Sequence, residues 1–196
     1  MTDTKETTYD LVVFGATSFV GQILTRYLFE TYGLGQSVKW AIAGRSDSKL
    51  NTLKAELGTG ADALPVIVAD ASDQAALEAM CKQTRVIIST VGPYALYGEP
   101  LVQACVRTGT DYCDLTGEVQ WIRKMVERYE EEAKSSGARI VHCCGFDSIP
   151  SDMGVWFLQN KAEETFGAPC RDVRMRVKVA KGEFSGGTVA SMMNVA

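Results

Sequence analysis

Residues 15–21, Gly-Ala-Thr-Ser-Phe-Val-Gly, join an apolar run at 10–14 to a helical pattern that begins by Phe19. A strand, a tight turn and a helix in this order bring backbone N–H groups and the positive end of a helix dipole, about half a charge, to one point. Gly15 leaves room for the turn, and Gly21 lets the helix pack closely on the strand. These residues therefore predict a site for the pyrophosphate of a dinucleotide.

The whole loop is expected to line that site. Ala16 and Thr17 are small enough for a dinucleotide to approach, and Ser18 occupies the middle position, where such loops usually have glycine. The predicted contacts are Gly15, Ala16, Thr17, Ser18, Phe19, Val20 and Gly21.

Arg45 follows the second apolar run, Val38–Ala43, and Ser46 stands beside it. In a doubly wound sheet this position meets the adenosine ribose, where an acidic residue binds a 2′-hydroxyl and an arginine can pair with a 2′-phosphate. A charge-assisted contact of this kind contributes roughly 1.5–3 kcal/mol, enough to favour NADP over NAD. The alternative is that Arg45 is a solvated loop residue and Ser46 only a helix N-cap. We expect both residues to contact the cofactor.

Asp70 follows the third apolar run, Pro65–Ala69. Its position at a strand end predicts a contact with the adenine side of the cofactor. Ser72 or Asp73, close behind it, can cap the next helix, so the acidic pair also has a purely structural explanation.

A second loop, residues 91–99, follows the fourth apolar run, Arg85–Thr90. Strands one and four are neighbours in a doubly wound sheet, so this loop should face residues 15–21. We expect the cofactor to contact the loop's first three residues and Tyr94 to lie near its reactive end, although packing is the alternative role for an aromatic side chain. The three predicted contacts are Val91, Gly92 and Pro93.

Two carboxylates follow later strands at the same edge. Asp114 ends the strand predicted at 111–115, where a carboxylate beside an apolar core needs a partner, and Asp147 follows the strand predicted at 140–144. With Tyr94, these residues are the candidates for proton transfer, and the sequence does not rank them.

Two other ionisable residues have structural explanations that we favour. Glu118 can complement the dipole of the helix that it begins. His142, the only histidine, lies inside an apolar run and is expected to be a hydrogen-bonded core residue.

The elements that position these residues alternate between strand and helix. They predict an α/β fold, a Rossmann-type doubly wound parallel sheet over residues 9–165, after a disordered tail at 1–8. Residues 166–196 are expected to begin a second, α+β domain that is incomplete here. Its first strand is predicted at 172–179, where apolar and basic residues alternate strictly: Val173, Met175, Val177 and Val179 against Arg174, Arg176 and Lys178.

Composition excludes several classes of protein. With 196 residues, 46% hydrophobic content and a net charge of −4, the chain is globular and is not expected to bind nucleic acid. Its first residues are polar, without the apolar region of a signal peptide, and no apolar stretch has transmembrane length, so we expect a cytoplasmic protein. The six cysteines have no metal-binding spacing and are expected to be reduced and mostly buried, with no metal site.

Five stretches together resemble the saccharopine dehydrogenase-like oxidoreductases, in particular the branch that includes the trans-acting enoyl reductases. The resemblance covers about residues 9–155 and departs at Ser18, where the family usually has glycine but where a serine can donate a hydrogen bond to phosphate. The stretches are GATSFVG (15–21), AGRS (43–46), TVGPYALYGEPLV (90–102), DYCDLTGE (111–118) and HCCGFDSIPSD (142–152).

The resemblance implies an NADP(H)-dependent oxidoreductase that transfers a hydride to or from a carbonyl, imine or enoyl group of a small or lipid-like substrate. It also implies a second domain that completes the substrate cleft, and a homodimer formed through that domain. A non-catalytic NADP-binding sensor or scaffold is the alternative. The sequence contains no Tyr-x-x-x-Lys pair and no Gly-x-x-x-x-Gly-Lys loop, which excludes the short-chain dehydrogenase mechanism and a P-loop NTPase.

Overall fold

The computed structural model describes residues 7–35 and 37–179, with single positions beyond them at 181, 186, 189 and 193. In this part of the chain six strands alternate with seven α-helices. The predicted disordered tail lies mostly outside the described residues, and so does the helical start that follows Thr188.

The elements follow the predicted order, with one short helix, α4, that the sequence did not predict. The strands are β1 (Tyr9–Phe14), β2 (Trp40–Gly44), β3 (Val66–Val68), β4 (Thr84–Ser89), β5 (Asp111–Asp114) and β6 (Ile140–Val141). The helices are α1 (Phe19–Tyr32), α2 (Asp47–Leu57), α3 (Gln74–Cys81), α4 (Tyr94–Tyr97), α5 (Glu99–Thr108), α6 (Val119–Ser136) and α7 (Ile149–Phe166).

The six strands form one parallel sheet in the order β3-β2-β1-β4-β5-β6. β1 is central, and its residue Val13 is paired with Ile42 of β2 on one side and Ile88 of β4 on the other. This order, in which the chain reverses direction across the sheet after β3, confirms the doubly wound Rossmann-type fold. All six carboxyl ends consequently lie along one edge of the sheet.

Alternate residues of β1 belong to the two faces of the sheet. Val13 packs in a buried cluster with residues of α1 and α2, whereas Val12 belongs to a larger cluster with residues of α3, α5 and α6. Both valines are fully buried. A strand covered on both faces is apolar throughout, which explains why β1 could be recognised from the sequence.

The start of each of the first three helices is fixed by a side chain. Ser18, Ser46 and Asp73 are the N-cap residues of α1, α2 and α3, and each accepts a hydrogen bond from a backbone N–H in the first turn. The Asp73 carboxylate, for example, accepts from the N–H of Ala76 at 3.0 Å. Of the two caps that the sequence offered for α3, Ser72 or Asp73, the structure uses Asp73; Ser46 caps α2, the role given above as the alternative to cofactor contact.

The sixth strand is shorter than the predicted range 140–144. It ends at Val141, because Cys143 adopts a positive φ of 62°, which an extended strand does not contain. The turn also leaves Cys144 exposed. The prediction of mostly buried cysteines is wrong, because only two of the six, Cys81 and Cys105, are buried.

The strand predicted at 172–179 is absent: these described residues have no regular secondary structure. The alternating side chains are exposed, with Met175, Val177 and Val179 each about two-thirds accessible. A strand needs backbone hydrogen bonds to a neighbour, and the sheet of the described residues ends at β6. Alternation alone was therefore an insufficient basis for that prediction.

Helix α7 carries large apolar side chains on a mostly exposed surface. Trp156 and Phe157 are each 62% accessible, and Ala162 is the helix's one described buried residue. The apolar side chains exposed on α7 are Ile149, Met153, Val155, Trp156, Phe157, Leu158 and Phe166.

No helix in the described ranges has both the length and the apolar character needed to cross a membrane.

A substitution at Gly21 tests how closely α1 packs on β1. A Cβ atom on Gly21 would lie 2.8 Å from the Cα of Ala16, and closer still to the carbonyl oxygen of Gly15. Since backbone atoms cannot rotate away, we expect Gly21→Ala to lower the free energy of unfolding by roughly 3 kcal/mol in urea titrations.

Gly154→Ala is the matched control, because no atom outside its own helix surroundings lies within 4 Å of a Cβ at that position of α7. Alanine is the better helix former, so this change should raise stability by up to about 1 kcal/mol. Equal effects at the two positions would contradict the packing argument.

Candidate functional site

The carboxyl edge of the sheet brings together the predicted cofactor residues. Residues 15–21 follow β1, Arg45 follows β2, Asp70 lies just past β3, and residues 91–93 follow β4. We call the space bordered by residues 15–21 and 90–93 the crevice. Ligands of open parallel α/β sheets bind at this edge, where the strand order reverses.

Gly15 is required by the approach of the two loops. Its φ is +86°, and a Cβ there would lie 2.6 Å from Cγ2 of Val91 and 2.8 Å from Oγ1 of Thr90. Neither the backbone conformation nor the space admits a larger residue. The prediction that the loop after β4 faces the loop after β1 is confirmed.

The first turn of α1 offers two backbone N–H groups to a ligand. The Ser18 N–H donates to the Gly15 carbonyl at 2.9 Å, and the Gly21 N–H donates to the Ser18 hydroxyl at 3.0 Å. The N–H groups of Phe19 and Val20 have no hydrogen-bond acceptor among the described residues. Together with the positive end of the helix dipole, they fit a pyrophosphate.

The Ser18 side chain bonds to the protein on both sides. Its hydroxyl donates to Oγ1 of Thr90 at 2.9 Å while accepting from the Gly21 N–H. Thr90 in turn donates to the carbonyl oxygen of Gly15 at 2.8 Å. Ser18 thus contacts both loops that border the crevice.

Arg45 is exposed at the end of β2, next to the end of β3, since Gly44 pairs with Val68. Asp70 is partly exposed and accepts hydrogen bonds from the hydroxyl (2.7 Å) and N–H (2.9 Å) of Ser72. These bonds, with a smaller contribution from the charge of Arg45, lower the pKa of Asp70. Arg45 is accordingly a cation open to a ligand, whereas the Asp70 carboxylate already holds a turn.

Glu118 has a role that the sequence did not predict. Only 2% of the residue is exposed, and its two carboxylate oxygens accept from the backbone N–H groups of Tyr94 (2.9 Å) and Ala95 (2.8 Å). It therefore caps α4, although it stands at the start of α6. The prediction that Glu118 complements its own helix needs this correction, because the carboxylate bonds to a different helix.

Tyr94 is buried and its hydroxyl is already bonded. The hydroxyl donates to the carbonyl of Ser89 at 3.0 Å and accepts from the N–H of Leu115 at 3.4 Å. Burial, reinforced by the nearby charge of Asp114, raises the pKa of Tyr94. A phenol held in this way joins β4 to the end of β5.

Asp114 is the centre of a buried cluster of hydrogen bonds, and its carboxylate has several partners, as the sequence analysis expected. Its Oδ2 accepts from the Tyr112 hydroxyl at 2.9 Å and lies 2.7 Å from Nδ1 of His142. Its Oδ1 accepts from the N–H groups of Thr116 and Cys143, each at 3.1 Å. These contacts fix the turn after β6 against the end of β5.

His142 is the hydrogen-bonded core residue that the sequence predicted. Its side chain is 8% exposed and lies edge-on to the rings of Tyr112 and Trp121, with centroids 5.8 and 5.1 Å away. Because Nδ1 faces the Asp114 carboxylate, Nε2 is the ring nitrogen left for any other partner.

The three predicted proton-transfer residues have different surroundings. Tyr94 and Asp114 are buried close to each other, and the charge of Asp114 acts on the Tyr94 hydroxyl. Asp147 is exposed in the turn before α7. Across the described residues, no group of three or more histidine, cysteine or acidic side chains could hold a metal ion.

The cap that Glu118 forms can be tested by Glu118→Gln. The amide would present an NH₂ group to one of the two backbone N–H donors, so we expect a loss of roughly 1.5–3 kcal/mol in the free energy of unfolding. Glu127→Gln is the control on the same helix, because Glu127 makes an exposed pair with Arg123. That change should cost less than about 0.5 kcal/mol in the same urea titrations, and a similar loss in both variants would contradict the role given to Glu118.

Comparison with known proteins agrees with this geometry. Residues 11–141 match the family described as the saccharopine dehydrogenase NADP-binding domain. The matched range includes both borders of the crevice, Arg45, Asp70 and Asp114, and it ends just before His142 and Cys143.

Mycobacterial proteins are similar over nearly the whole chain. A Mycobacterium tuberculosis protein, provisionally named a trans-acting enoyl reductase, is 44% identical over 187 residues, which is 95% of this chain and 44% of the relative. A trans-acting enoyl reductase of Mycobacterium leprae is 43% identical over 185 residues, 93% of this chain and 43% of the relative. The chain thus spans less than half the length of these relatives.

A solved structure shows the same fold. The apo form of saccharopine dehydrogenase (L-Glu forming) from Saccharomyces cerevisiae superposes with a TM-score of 0.60 over 80% of this chain and 31% of the yeast chain, at 18% identity. Because the family match covers most of the chain and the mycobacterial relatives exceed 40% identity, the chain belongs to the saccharopine dehydrogenase NADP-binding domain family and carries an NADP-binding domain.

Proposed function

We propose that the chain provides the cofactor domain of an NADP(H)-dependent oxidoreductase. The observation that carries the proposal is the crevice, where Gly15 allows two loops to touch while the N–H groups of Phe19 and Val20 stay available to an anion. Arg45, exposed at the end of β2, adds a cation where the 2′-phosphate of NADP would lie.

Each predicted cofactor residue except Ser18, the N-cap of α1, has a role in this proposal. Gly15, Ala16 and Thr17 form the turn, Phe19 and Val20 donate N–H groups to the pyrophosphate, and Gly21 brings α1 close to β1. Arg45 and Ser46 bind the 2′-phosphate side, and Asp70 borders the adenine. Val91, Gly92 and Pro93 cover the opposite side of the crevice.

The proposed reaction is hydride transfer to or from a carbonyl, imine or enoyl group of a small or lipid-like substrate. The names of the mycobacterial relatives favour the enoyl group. NADPH supplies the hydride when it is bound, so the protein must orient the substrate and move one proton. We assign residues 9–165 to cofactor binding and residues 166–196 to the beginning of a substrate domain that also forms a homodimer.

Asp147 is the strongest candidate for the proton-transfer residue. It is exposed, whereas the polar atoms of Tyr94 and Asp114 are already bonded to buried neighbours. In this assignment Tyr94 and Asp114 keep the carboxyl ends of β4, β5 and β6 in place, and Asp147 exchanges the proton with the substrate.

A non-catalytic NADP-binding sensor or scaffold is the second candidate. The occupied hydroxyl of Tyr94 and the occupied carboxylate of Asp114 favour it, because two of the three candidate acid–base groups already serve the fold. Steady NADPH oxidation with an enoyl thioester would support the enzyme. Tight NADPH binding without turnover, in a protein as long as the relatives, would support the sensor.

The coenzyme assignment of Arg45 predicts that Arg45→Asp reverses the preference for NADPH. Loss of the cation and gain of a carboxylate should lower the ratio of NADPH to NADH affinity at least about tenfold in fluorescence titrations. Arg85→Asp is the control, since Arg85 lies exposed in β4, one residue from the amino end of the strand. An unchanged ratio in Arg45→Asp would show that this residue does not bind the 2′-phosphate.

The role of Asp147 predicts a split between turnover and binding. In a protein of the relatives' length, Asp147→Asn should lower kcat about a hundredfold or more, with the Kd for NADPH unchanged. Tyr94→Phe should instead lower the melting temperature, because the buried Ser89 carbonyl loses its donor. A normal kcat in Asp147→Asn, together with loss of kcat in Tyr94→Phe, would show that Tyr94 transfers the proton and that Asp147 does not.

A further inference from the structure

We propose that Ser18 is a positioning residue that couples the two borders of the crevice and that its side chain is not a phosphate ligand. This inference rests on the proposed NADP site and changes the role of one of its residues. A serine in place of the usual glycine adds a hydroxyl near the phosphates. Its role depends on which atom accepts the hydrogen bond that the hydroxyl donates.

The hydroxyl of Ser18 donates its hydrogen bond to Thr90. Oγ1 of Thr90 lies 2.8 Å from the Gly15 carbonyl oxygen and 3.2 Å from that of Phe14, and since carbonyls only accept, Thr90 donates its proton to them, with Gly15 the nearer acceptor. Oγ1 of Thr90 is then the acceptor for the Ser18 hydroxyl, 2.9 Å away. The single proton of Ser18 is thereby used within the protein.

The remaining capacity of the Ser18 oxygen does not suit a phosphate. It accepts the Gly21 N–H at 3.0 Å, and any free lone pair can only accept another hydrogen bond. Phosphate oxygens are also acceptors at neutral pH, so a direct contact would place two acceptors together. The N–H groups of Phe19 and Val20 remain the donors in this turn.

The same bonds close a ring between the loop after β1 and the end of β4. The Gly15 carbonyl accepts from the Ser18 N–H at 2.9 Å and from the Thr90 hydroxyl, and the Ser18 hydroxyl completes the ring. Glycine at position 18 could make the backbone bond but not the side-chain bonds. Ser18 therefore fixes the direction of the first turn of α1, including the two available N–H groups, relative to β4.

Two variants and their combination test the proposal in the 196-residue chain. Ser18→Ala removes one hydroxyl of the ring, and Thr90→Val removes the other with little change in shape. If Ser18 acts by positioning, each variant should raise the Kd for NADPH about threefold to tenfold in fluorescence titrations, and the double variant should raise it no further. If Ser18 binds phosphate directly, Ser18→Ala alone should weaken binding, and that result would overturn the proposal.

Thr25→Val is the matched control for loss of a buried threonine hydroxyl. Thr25 is fully buried in α1, and its Oγ1 has no hydrogen-bond partner among the described residues. This variant should leave the Kd for NADPH unchanged. Unchanged affinity in Ser18→Ala and Thr90→Val as well would limit the ring to a stabilising role and would overturn the proposal.

A double-mutant cycle of Ser18→Ala and Thr90→Val, measured without cofactor, separates this inference from the proposed function. In urea unfolding, the stability loss in the double variant should be smaller than the sum of the two single losses, since both variants break the same bond. Additive losses would show that the two hydroxyls are not coupled. A wild-type chain that binds no NADPH would overturn the proposed function, and the urea cycle would still decide whether the coupling exists.

Discussion

The contact between the turn at Gly15 and the end of β4 determines the geometry of the carboxyl edge. β1 lies at the centre of the sheet, and the chain can leave it toward α1 only by passing within van der Waals distance of Thr90 and Val91. Gly21 allows the helix to return close to the same turn. This packing leaves the N–H groups of Phe19 and Val20 available in the crevice, and the site and the core therefore share the same constraint.

Two buried carboxylates hold the segments that follow β4, β5 and β6 at the carboxyl edge. Glu118 holds the start of α4 and Asp114 holds the turn at Cys143, in both cases through backbone N–H groups, and Asp114 also contacts the His142 ring. Such bonds satisfy a buried charge without the side-chain entropy that a lysine or arginine partner would lose. Both carboxylates thereby tie loops at the carboxyl edge to neighbouring elements.

The sequence was sufficient for features set by local chemistry. The first strand, the turn at Gly15 and the start of α1 follow from an apolar run, a glycine and an N-cap that lie close together in the chain. The contact of Glu118 with α4 was not predictable, because it joins residues 24 positions apart and a glutamate at a helix start has an ordinary explanation. The strand predicted at 172–179 is absent for a different reason. The local alternation fits a strand, but a strand also needs a hydrogen-bonding neighbour, which the local sequence does not reveal.

The exposed apolar surface of α7 also affects how the chain behaves in solution. Apolar patches of this kind are uncommon on monomeric proteins, and their burial becomes more favourable with warming and in the presence of sulfate or phosphate salts. Sulfate and phosphate ions would act at a second place as well, since the N–H groups and Arg45 of the proposed NADP site suit the same kind of anion. A cofactor-binding curve recorded in concentrated sulfate would therefore combine a stronger drive to bury α7 with competition at the anion site, whereas a cold, dilute measurement in chloride keeps both effects small.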